Sequence, residues 1–293
     1  MTFEQKYHRI ISPIKEDLYK IENGLTDFYC CSDELQESLI KILKAPAKRI
    51  RPVLALLYLK MYGVEITSHH IDIQSAVELI HNATLIHDDV VDKSLKRRNQ
   101  ETLNAEFDNS LAVITGDFLL SVAIQKLLNL NSFDILKYFN VAIKRMCLGE
   151  ITQYFNRFKI IDFDCYLEKC KYKTAELFMA SLSSSAEIAN LDINAAKDFA
   201  KRFGIAFQIR DDLLNITETN SDKPSRNDIE DGIYTAPVIF AKNINNIENG
   251  IVKTIELLDN YLNRAKKCLN AAPENEYKQA LLELIDILKY ENR

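Results

Sequence analysis

Two short acidic runs carry the strongest chemical signal in this sequence. In HNATLIHDDVVDKSLKRRN, Asp88 and Asp92 are four residues apart, so one helical turn sets them on one face, with Asp89 adjacent. In FQIRDDLLN, Asp211, Asp212 and Asn215 repeat that spacing, and Gln208 falls one turn earlier beside Asp211 and Asp212. Leu85, Ile86, Val90 and Val91 flank the first run; Ile209, Leu213 and Leu214 flank the second. Carboxylates so close together repel, and carboxylates on apolar helices need a cavity or a counter-charge. A divalent cation meets both needs. Oxygen donors without thiolate or imidazole suit Mg²⁺, which keeps waters and bridges to substrate phosphates. Either run alone also reads as a solvated acidic helix end, but a near-copy on a second apolar helix weighs against coincidence.

Basic residues accompany both runs. AKRIRP supplies Lys48, Arg49 and Arg51, Arg97-Arg98 follow the first acidic run, and Lys173-Thr174 lie in YKTAELF. Arginine offers planar bidentate contacts to phosphate oxygens and lysine a compact point charge. Each group taken singly reads equally as solvated surface. His81 precedes Asp88 by two helical turns, so His81, Thr84, Asp88 and Asp92 share a stripe. A hydrogen-bonded core histidine and a diphosphate ligand both fit that placement.

The elements that must position these groups are helical. Among 293 residues, 47% are hydrophobic and 27% charged, with only 7 Gly, 6 Pro and no Trp, which leaves few punctuators for a strand-and-turn fold. Apolar periodicity predicts helices near 3–22, 33–44, 50–62, 69–93, 110–129, 132–157, 164–190, 193–217, 235–243, 250–270 and 274–291, with Thr67 and Ser68 capping the fourth. Segments 69–93 and 193–217 are long and apolar enough to be central helices of one bundle. The expectation is an all-α, single-domain chain. The polar stretch Thr217–Asp231 is either a flap over a site or an ordinary solvated loop.

Several classes are disfavoured. A net charge of −5 argues against a nucleic-acid partner. The six cysteines form no CxxC pair and no secretory signal precedes them, which fits reduced thiols in the cytoplasm. No apolar run is expected to reach the roughly 20 residues of a membrane span. No Ser-His-Asp or Cys-His arrangement stands out.

Together these motifs resemble the trans-polyprenyl synthases, the head-to-tail isoprenyl diphosphate synthases. LIHDDVVDKSLKRRN is similar to that family's first aspartate-rich motif and FQIRDDLLN to its second. AKRIRP, GDFLL, GEITQ, KTAELF and the run through Lys223, Asn227, Asp228 and Thr235–Pro237 match in order. The local string around the first motif is similar to octaprenyl-type bacterial members. The resemblance implies an all-α bundle around a deep central cavity, usually a homodimer. It implies that Asp88, Asp89 and Asp92 bind Mg²⁺ on an allylic diphosphate, and that Asp211 and Asp212, with Asn215, hold a further Mg²⁺, three ions in all. Arg97, Lys173, Thr174, Gln208 and Lys223 would contact the allylic diphosphate; Lys48, Arg51, His81 and Arg98 would hold isopentenyl diphosphate. Diphosphate leaves to give an allylic cation, the isopentenyl double bond attacks it, and a proton departs to the released diphosphate. Water must be kept out, so an apolar tunnel is expected.

Four positions depart from the family pattern. Ala47 and Asn99 stand where Gly is usual, Asn215 where Asp is usual, and Ile233 where many members have Lys. Ala83 and Thr84 lie five and four positions before Asp88, about 6–7.5 Å deeper along a helix. Both are small, where aromatic residues would floor the tunnel. The expected product is therefore long, about C30–C45, with transient membrane contact for its release. If Leu119, Leu120, Ile124 or Phe155 closes the tunnel instead, a C15 or C20 product follows. A class I terpene cyclase and a non-catalytic partner subunit are the alternatives from other classes.

Overall fold

The computed structural model describes residues 3–217 and 227–290. They fall into two compact units, residues 11–136, and residues 137 onward with the first ten. Helix α1 (Phe3–Ile11) belongs to the second unit, and Ser12–Ile14 form a 3₁₀ turn. The helix expected over 3–22 is therefore interrupted, because Pro13 lacks the N–H that would continue it.

The first unit contains α2 (Lys15–Gly24), α3 (Asp33–Lys44), α4 (Ile50–Met61), α5 (Ser68–Val91), α6 (Leu103–Glu106) and α7 (Asn109–Leu128). Its axis is α5, 24 residues without Gly or Pro, packed against α2, α4 and α7. The Thr67 backbone N–H donates to His70 Nδ1 at 3.1 Å and caps its start. Ile73, Ala76, Val77 and Ile80 are fully buried. Where α7 crosses α5, Gly116 lies under the His87 ring with no room for a Cβ, and Leu119 and Ala123 are fully buried beyond it.

Arg49 sets the start of α4. Its backbone is left-handed, φ 48°, and its buried side chain reaches three helices. One N–H donates to Glu78 of α5 at 3.0 Å, another donates to the Leu43 carbonyl of α3, and Nε lies 3.6 Å from Glu22 of α2. Arg49 is thus a fold residue within the basic motif that contains it.

After α5, strands β1 (Lys96–Arg97) and β2 (Gln100–Glu101) pair antiparallel, Arg97 opposite Gln100. The connecting residues Arg98 and Asn99 have φ of 50° and 60°, the positive values of a two-residue hairpin. Asparagine tolerates that backbone, so Asn99 serves where glycine was expected. The sequence analysis missed this hairpin, since two-residue strands leave no periodicity.

In the second unit, α8 (Phe133–Phe155, from residue 137), α9 (Phe163–Cys170) and α10 (Glu176–Ile188) precede the central α11 (Ile193–Thr217). A π turn at Lys171–Ala175 joins α9 to α10, where an unbroken helix over 164–190 was expected. Such turns insert one residue and re-aim side chains. Asp192 caps α11, its Oδ1 accepting from Asn194 N and Ala195 N at 2.8 and 3.0 Å. Gly204 of α11 lies against Ala175, whose Cα would be 2.7 Å from any added Cβ. The helix can therefore seat itself on the π turn. Helices α12 (Asn227–Glu230), α13 (Ala236–Ala241), α14 (Glu248–Cys268) and α15 (Glu276–Asp286) complete the unit, and Arg9 ties α1 to α15 through Glu283 at 2.8 Å.

One expectation is corrected. Helix α7 has 20 residues and is long and apolar enough to cross a membrane by length and composition alone, though a third of its apolar window is buried within the fold. Asp117 and Lys126 interrupt it, which is why the sequence did not read as one unbroken apolar run.

The Arg49–Glu78 pair yields a stability test. Glu78→Gln removes the main counter-charge of a guanidinium that stays buried, and should lower the unfolding free energy by about 3 kcal/mol. Urea denaturation measures this; an unchanged midpoint contradicts it.

Candidate active site

The first acidic run closes α5, and the structure divides its three carboxylates. Asp88 is half-buried and Asp92 exposed, in keeping with their shared face. Asp89 is turned inward, 4% exposed, with both oxygens on Arg97. Arg97 Nε donates to them at 2.8 and 3.0 Å, and Nη2 lies 2.8 Å from Oδ1. That planar fork fixes Arg97 in the hairpin and fixes the hairpin to the end of α5. Asp89 and Arg97, with Arg98 and Asn82, border a small pocket in this unit.

His81 is where the basic motifs meet. Burial holds its pKa well below the ordinary value, and Arg51, Arg98, Arg97 and Arg49 reinforce the effect. The imidazole is therefore neutral at pH 7, within a nest of arginines from α4 and the hairpin. Arg51, His81 and Arg98, drawn from three places in the sequence, thus gather in one unit. Lys48, two residues before α4, is exposed. Thr84 donates its hydroxyl to the His81 carbonyl at 2.8 Å, and Ala83 is buried. Leu119 is buried and Leu120 half-buried, whereas Ile124 and Phe155 are exposed.

The second acidic run lies on the last turns of α11. Asp211 is exposed, whereas Asp212 is 4% exposed and hydrogen-bonded through both oxygens. Tyr166 O–H donates to Oδ2 and Gln208 Nε2 to Oδ1, each at 2.7 Å. Gln208 Oε1 in turn accepts from the Thr174 hydroxyl. The chain Thr174–Gln208–Asp212–Tyr166 therefore links the π turn, α11 and α9. It explains why Gln208 must sit one turn before Asp212. Burial, then Asp212, raises the Tyr166 pKa well above its ordinary value, so the phenol remains a donor. Lys173, on the same π turn, pairs with Glu150 of α8 at 2.6 Å. Lys223 lies outside the described residues.

Tyr166 escaped sequence analysis as a partner of this site, and Asp228 was read there only as part of a matching run. A tyrosine in a short mixed helix carries no sign of a partner, and only the fold sets its hydroxyl against Asp212. Burial, then Asp212, pushes the Asp228 carboxyl up to about 6, with Lys169 and Lys173 opposing the rise. Negative charge at this end of α11 is thus crowded before any cation is counted.

These residues fit Mg²⁺ shared with a phosphate. Among the described residues no three His, Cys, Asp or Glu side chains form a ready metal cage. Mg²⁺ does not demand one, because it takes one or two carboxylates and fills its octahedron with water and phosphate oxygens. Asn215 supplies a further sign: its Oδ1 is buried with no hydrogen-bond partner among the described residues, an acceptor suited to a cation or its water.

The polyprenyl synthetase family model matches residues 32–272. The chain belongs to the polyprenyl synthetase family. A prenyl transferase of Cyanophora paradoxa is 32% identical, over 93% of this chain and 94% of that protein. Solanesyl diphosphate synthase 2, chloroplastic, of Arabidopsis thaliana is 32% identical, over 93% of this chain and 74% of that one. The crystal structure of a decaprenyl diphosphate synthase from Rhodobacter capsulatus superposes with a TM-score of 0.87 at 26% identity, covering 96% of this chain and 98% of that one. A polyprenyl synthase from Caulobacter crescentus, complexed with calcium and isoprenyl diphosphate, matches with the same TM-score and identity over 96% and 97%. This polyprenyl synthetase therefore has the all-α isoprenoid synthase fold and is a prenyltransferase enzyme.

The Tyr166 contact is testable. Tyr166→Phe keeps the ring and removes one donor to Asp212, a loss of about 1.5–3 kcal/mol for a hydrogen bond to a charged group. The Mg²⁺ concentration for half-maximal turnover should rise and kcat should fall about tenfold, with the melting temperature lowered by several degrees. Unaltered Mg²⁺ dependence contradicts the role.

Proposed function

We propose that this chain condenses isopentenyl diphosphate with an allylic diphosphate, such as farnesyl or geranylgeranyl diphosphate, and releases an all-trans polyprenyl diphosphate of about C30–C45. The observation that carries this reading is the nest of Arg51, Arg97 and Arg98 around a neutral His81, in the same unit as Asp88 and Asp92. An enzyme that ionises one diphosphate needs the acidic groups; a second anion gives the arginine nest its purpose. A terpene cyclase would have no use for the nest, and a non-catalytic subunit would have no use for the retained carboxylates.

In this reading Asp88, Asp92, Asp211 and the Asn215 carbonyl hold Mg²⁺, three ions when the substrate diphosphate is bound. The metal supplies neutralisation of the departing negative charge. Asp89 and Asp212 act from behind, the first fixing Arg97 and the second fixing Gln208. Each keeps unused lone pairs, so neither is barred from touching a metal or its water. Lys173, Thr174 and Lys223 join Arg97 and Gln208 on the allylic diphosphate. Arg51, His81, Arg98 and the exposed Lys48 take isopentenyl diphosphate. The Thr174 and Gln208 oxygens lie in one hydrogen-bonded group and are suited to stabilise the allylic cation.

The chain works as one domain and as a homodimer in the cytoplasm. The outer face of α7 supports the dimer: Val113, Ile114, Ile124 and Leu128 are each about 40–60% exposed, an apolar stripe that a second copy would cover. All six cysteines are free thiols, as a reducing compartment requires. The long product rests on the small Ala83 and Thr84, and the solanesyl and decaprenyl names of relatives support it.

Purified protein incubated with farnesyl diphosphate, labelled isopentenyl diphosphate and Mg²⁺ should give dephosphorylated products of C30 or longer. Ala83→Phe should shorten them. No use of isopentenyl diphosphate would sink the function; C15 or C20 products, or an unchanged length in the folded variant, would sink the tunnel.

A further inference from the structure

Residues 163–188 contain neither Gly nor Pro, so nothing local interrupts a helix through them. The π turn at Lys171–Ala175 must therefore be held by contacts from other parts of the second unit. One set belongs to the candidate site: the Thr174 hydroxyl donates to Gln208, Lys173 pairs with Glu150, and Ala175 lies against Gly204. A second set takes no part in the proposed function and centres on Glu176, the first residue of α10.

The Glu176 side chain is 4% exposed, and two cations reach its Oε1. Arg145 of α8 donates from Nη1 at 2.8 Å, and Lys171 Nζ lies at 3.8 Å. Both also flank the Tyr172 ring, Arg145 Cζ and Lys171 Nζ each 5.7 Å from its centroid. One turn along α8 from Arg145, Gly149 admits the π turn closely: a Cβ there would lie 3.2 Å from Lys173 N and 3.3 Å from Tyr172 Cβ. The contact between Lys171 and Glu176 is specific to this register. In an α-helix, residues five apart diverge by about 140°. Here the Glu176 N–H donates to the Lys171 carbonyl, the i→i+5 bond of a π turn, and the two side chains meet as well. A shift to α register would part Lys171 from Glu176 and leave a buried carboxylate with less compensation. It would also rotate Lys173 and Thr174 relative to Glu150 and Gln208.

We propose that Glu176 is a positioning residue: its pairing with Arg145 and Lys171 holds the π turn in the register that presents Lys173 and Thr174 to the allylic diphosphate. The inference rests on the proposed function for the ligand of those two residues, and adds a side chain that acts through them rather than on the substrate. The contacts Lys173 makes with Glu150 and Thr174 with Gln208 must loosen when a diphosphate engages those groups. The contacts of Glu176 need not, so the register persists through substrate binding and product release.

The test compares variants of the full chain with farnesyl diphosphate, isopentenyl diphosphate and Mg²⁺, the melting temperature of each being recorded. Glu176→Gln should raise KM for farnesyl diphosphate about tenfold and lower kcat about tenfold, the scale of a small misplacement of contact groups. KM for isopentenyl diphosphate should stay within about twofold of wild type, because Arg51, His81 and Arg98 belong to the first unit. Arg145→Lys keeps a cation for Glu176 and should stay within about threefold of wild type. A double variant, Arg145→Met with Glu176→Leu, removes both charges together, which buried ion pairs tolerate without loss of stability, and should show the same selective rise in KM. Should Glu176→Gln not fold, the double variant decides. An unchanged KM for farnesyl diphosphate in either folded protein overturns the inference. So does an equal rise in both KM values, the mark of a general structural role, or an Arg145→Lys protein as impaired as Glu176→Gln. A wild-type chain that never consumes isopentenyl diphosphate overturns the proposed function and this inference together; an active wild type with an unaffected Glu176→Gln overturns the inference alone.

Discussion

The structure is governed by how negative charge is held on apolar helices. Helices α5 and α11 each carry, at their C-terminal ends, acidic groups that the helix dipole does not favour there. In each, one aspartate is turned inward and committed: Asp89 to the fork of Arg97, Asp212 to Tyr166 and Gln208. In each, its predecessor remains outward, Asp88 half-buried and Asp211 exposed. The committed carboxylate fixes the helix end and a cationic or polar neighbour; the outward one is the more exposed of the two. A pair of adjacent aspartates is thus two different devices, although the sequence writes them identically.

The supporting structure follows from that division. The hairpin after α5 brings Arg97 back to Asp89, and its left-handed Arg98 and Asn99 make the turn that this return needs. The π turn before α10 re-aims Thr174 toward Gln208, and Gly204 lets α11 approach it. Arg49 is held by hydrogen bonds to Glu78 and the Leu43 carbonyl and by the charge of Glu22, so the neighbouring Arg51 is held at a defined helix start. Catalytic positioning is commonly bought with such buried polar contacts, which give less stability than apolar packing but fewer alternative arrangements.

Most of the helical fold was legible because 3.6-residue periodicity is a strong signal over twenty residues: α5, α7 and α11 all lie where it placed them. The failures are short or local. Ser12-Pro13 breaks a helix that periodicity alone would continue, and neither the hairpin nor the π turn changes the apolar pattern around it. In the site, the spacing of Asp88 and Asp92 and the link of Gln208 to Asp212 could be read from one helical turn. Which aspartate faces inward could not, since that depends on where Arg97 and Tyr166 arrive from elsewhere in the chain.

A site made of outward carboxylates without a ready cage should bind metal poorly alone and well with a diphosphate that completes the coordination. Calorimetric titration of Mg²⁺ into the wild-type chain, with and without inorganic diphosphate, measures this directly. Weak Mg²⁺ binding in its absence and mutually strengthened binding in its presence, lost in Asp88→Asn, are the predicted results. Tight Mg²⁺ binding to the bare protein, or diphosphate binding of equal strength in chelator-treated, metal-free buffer, would contradict the account.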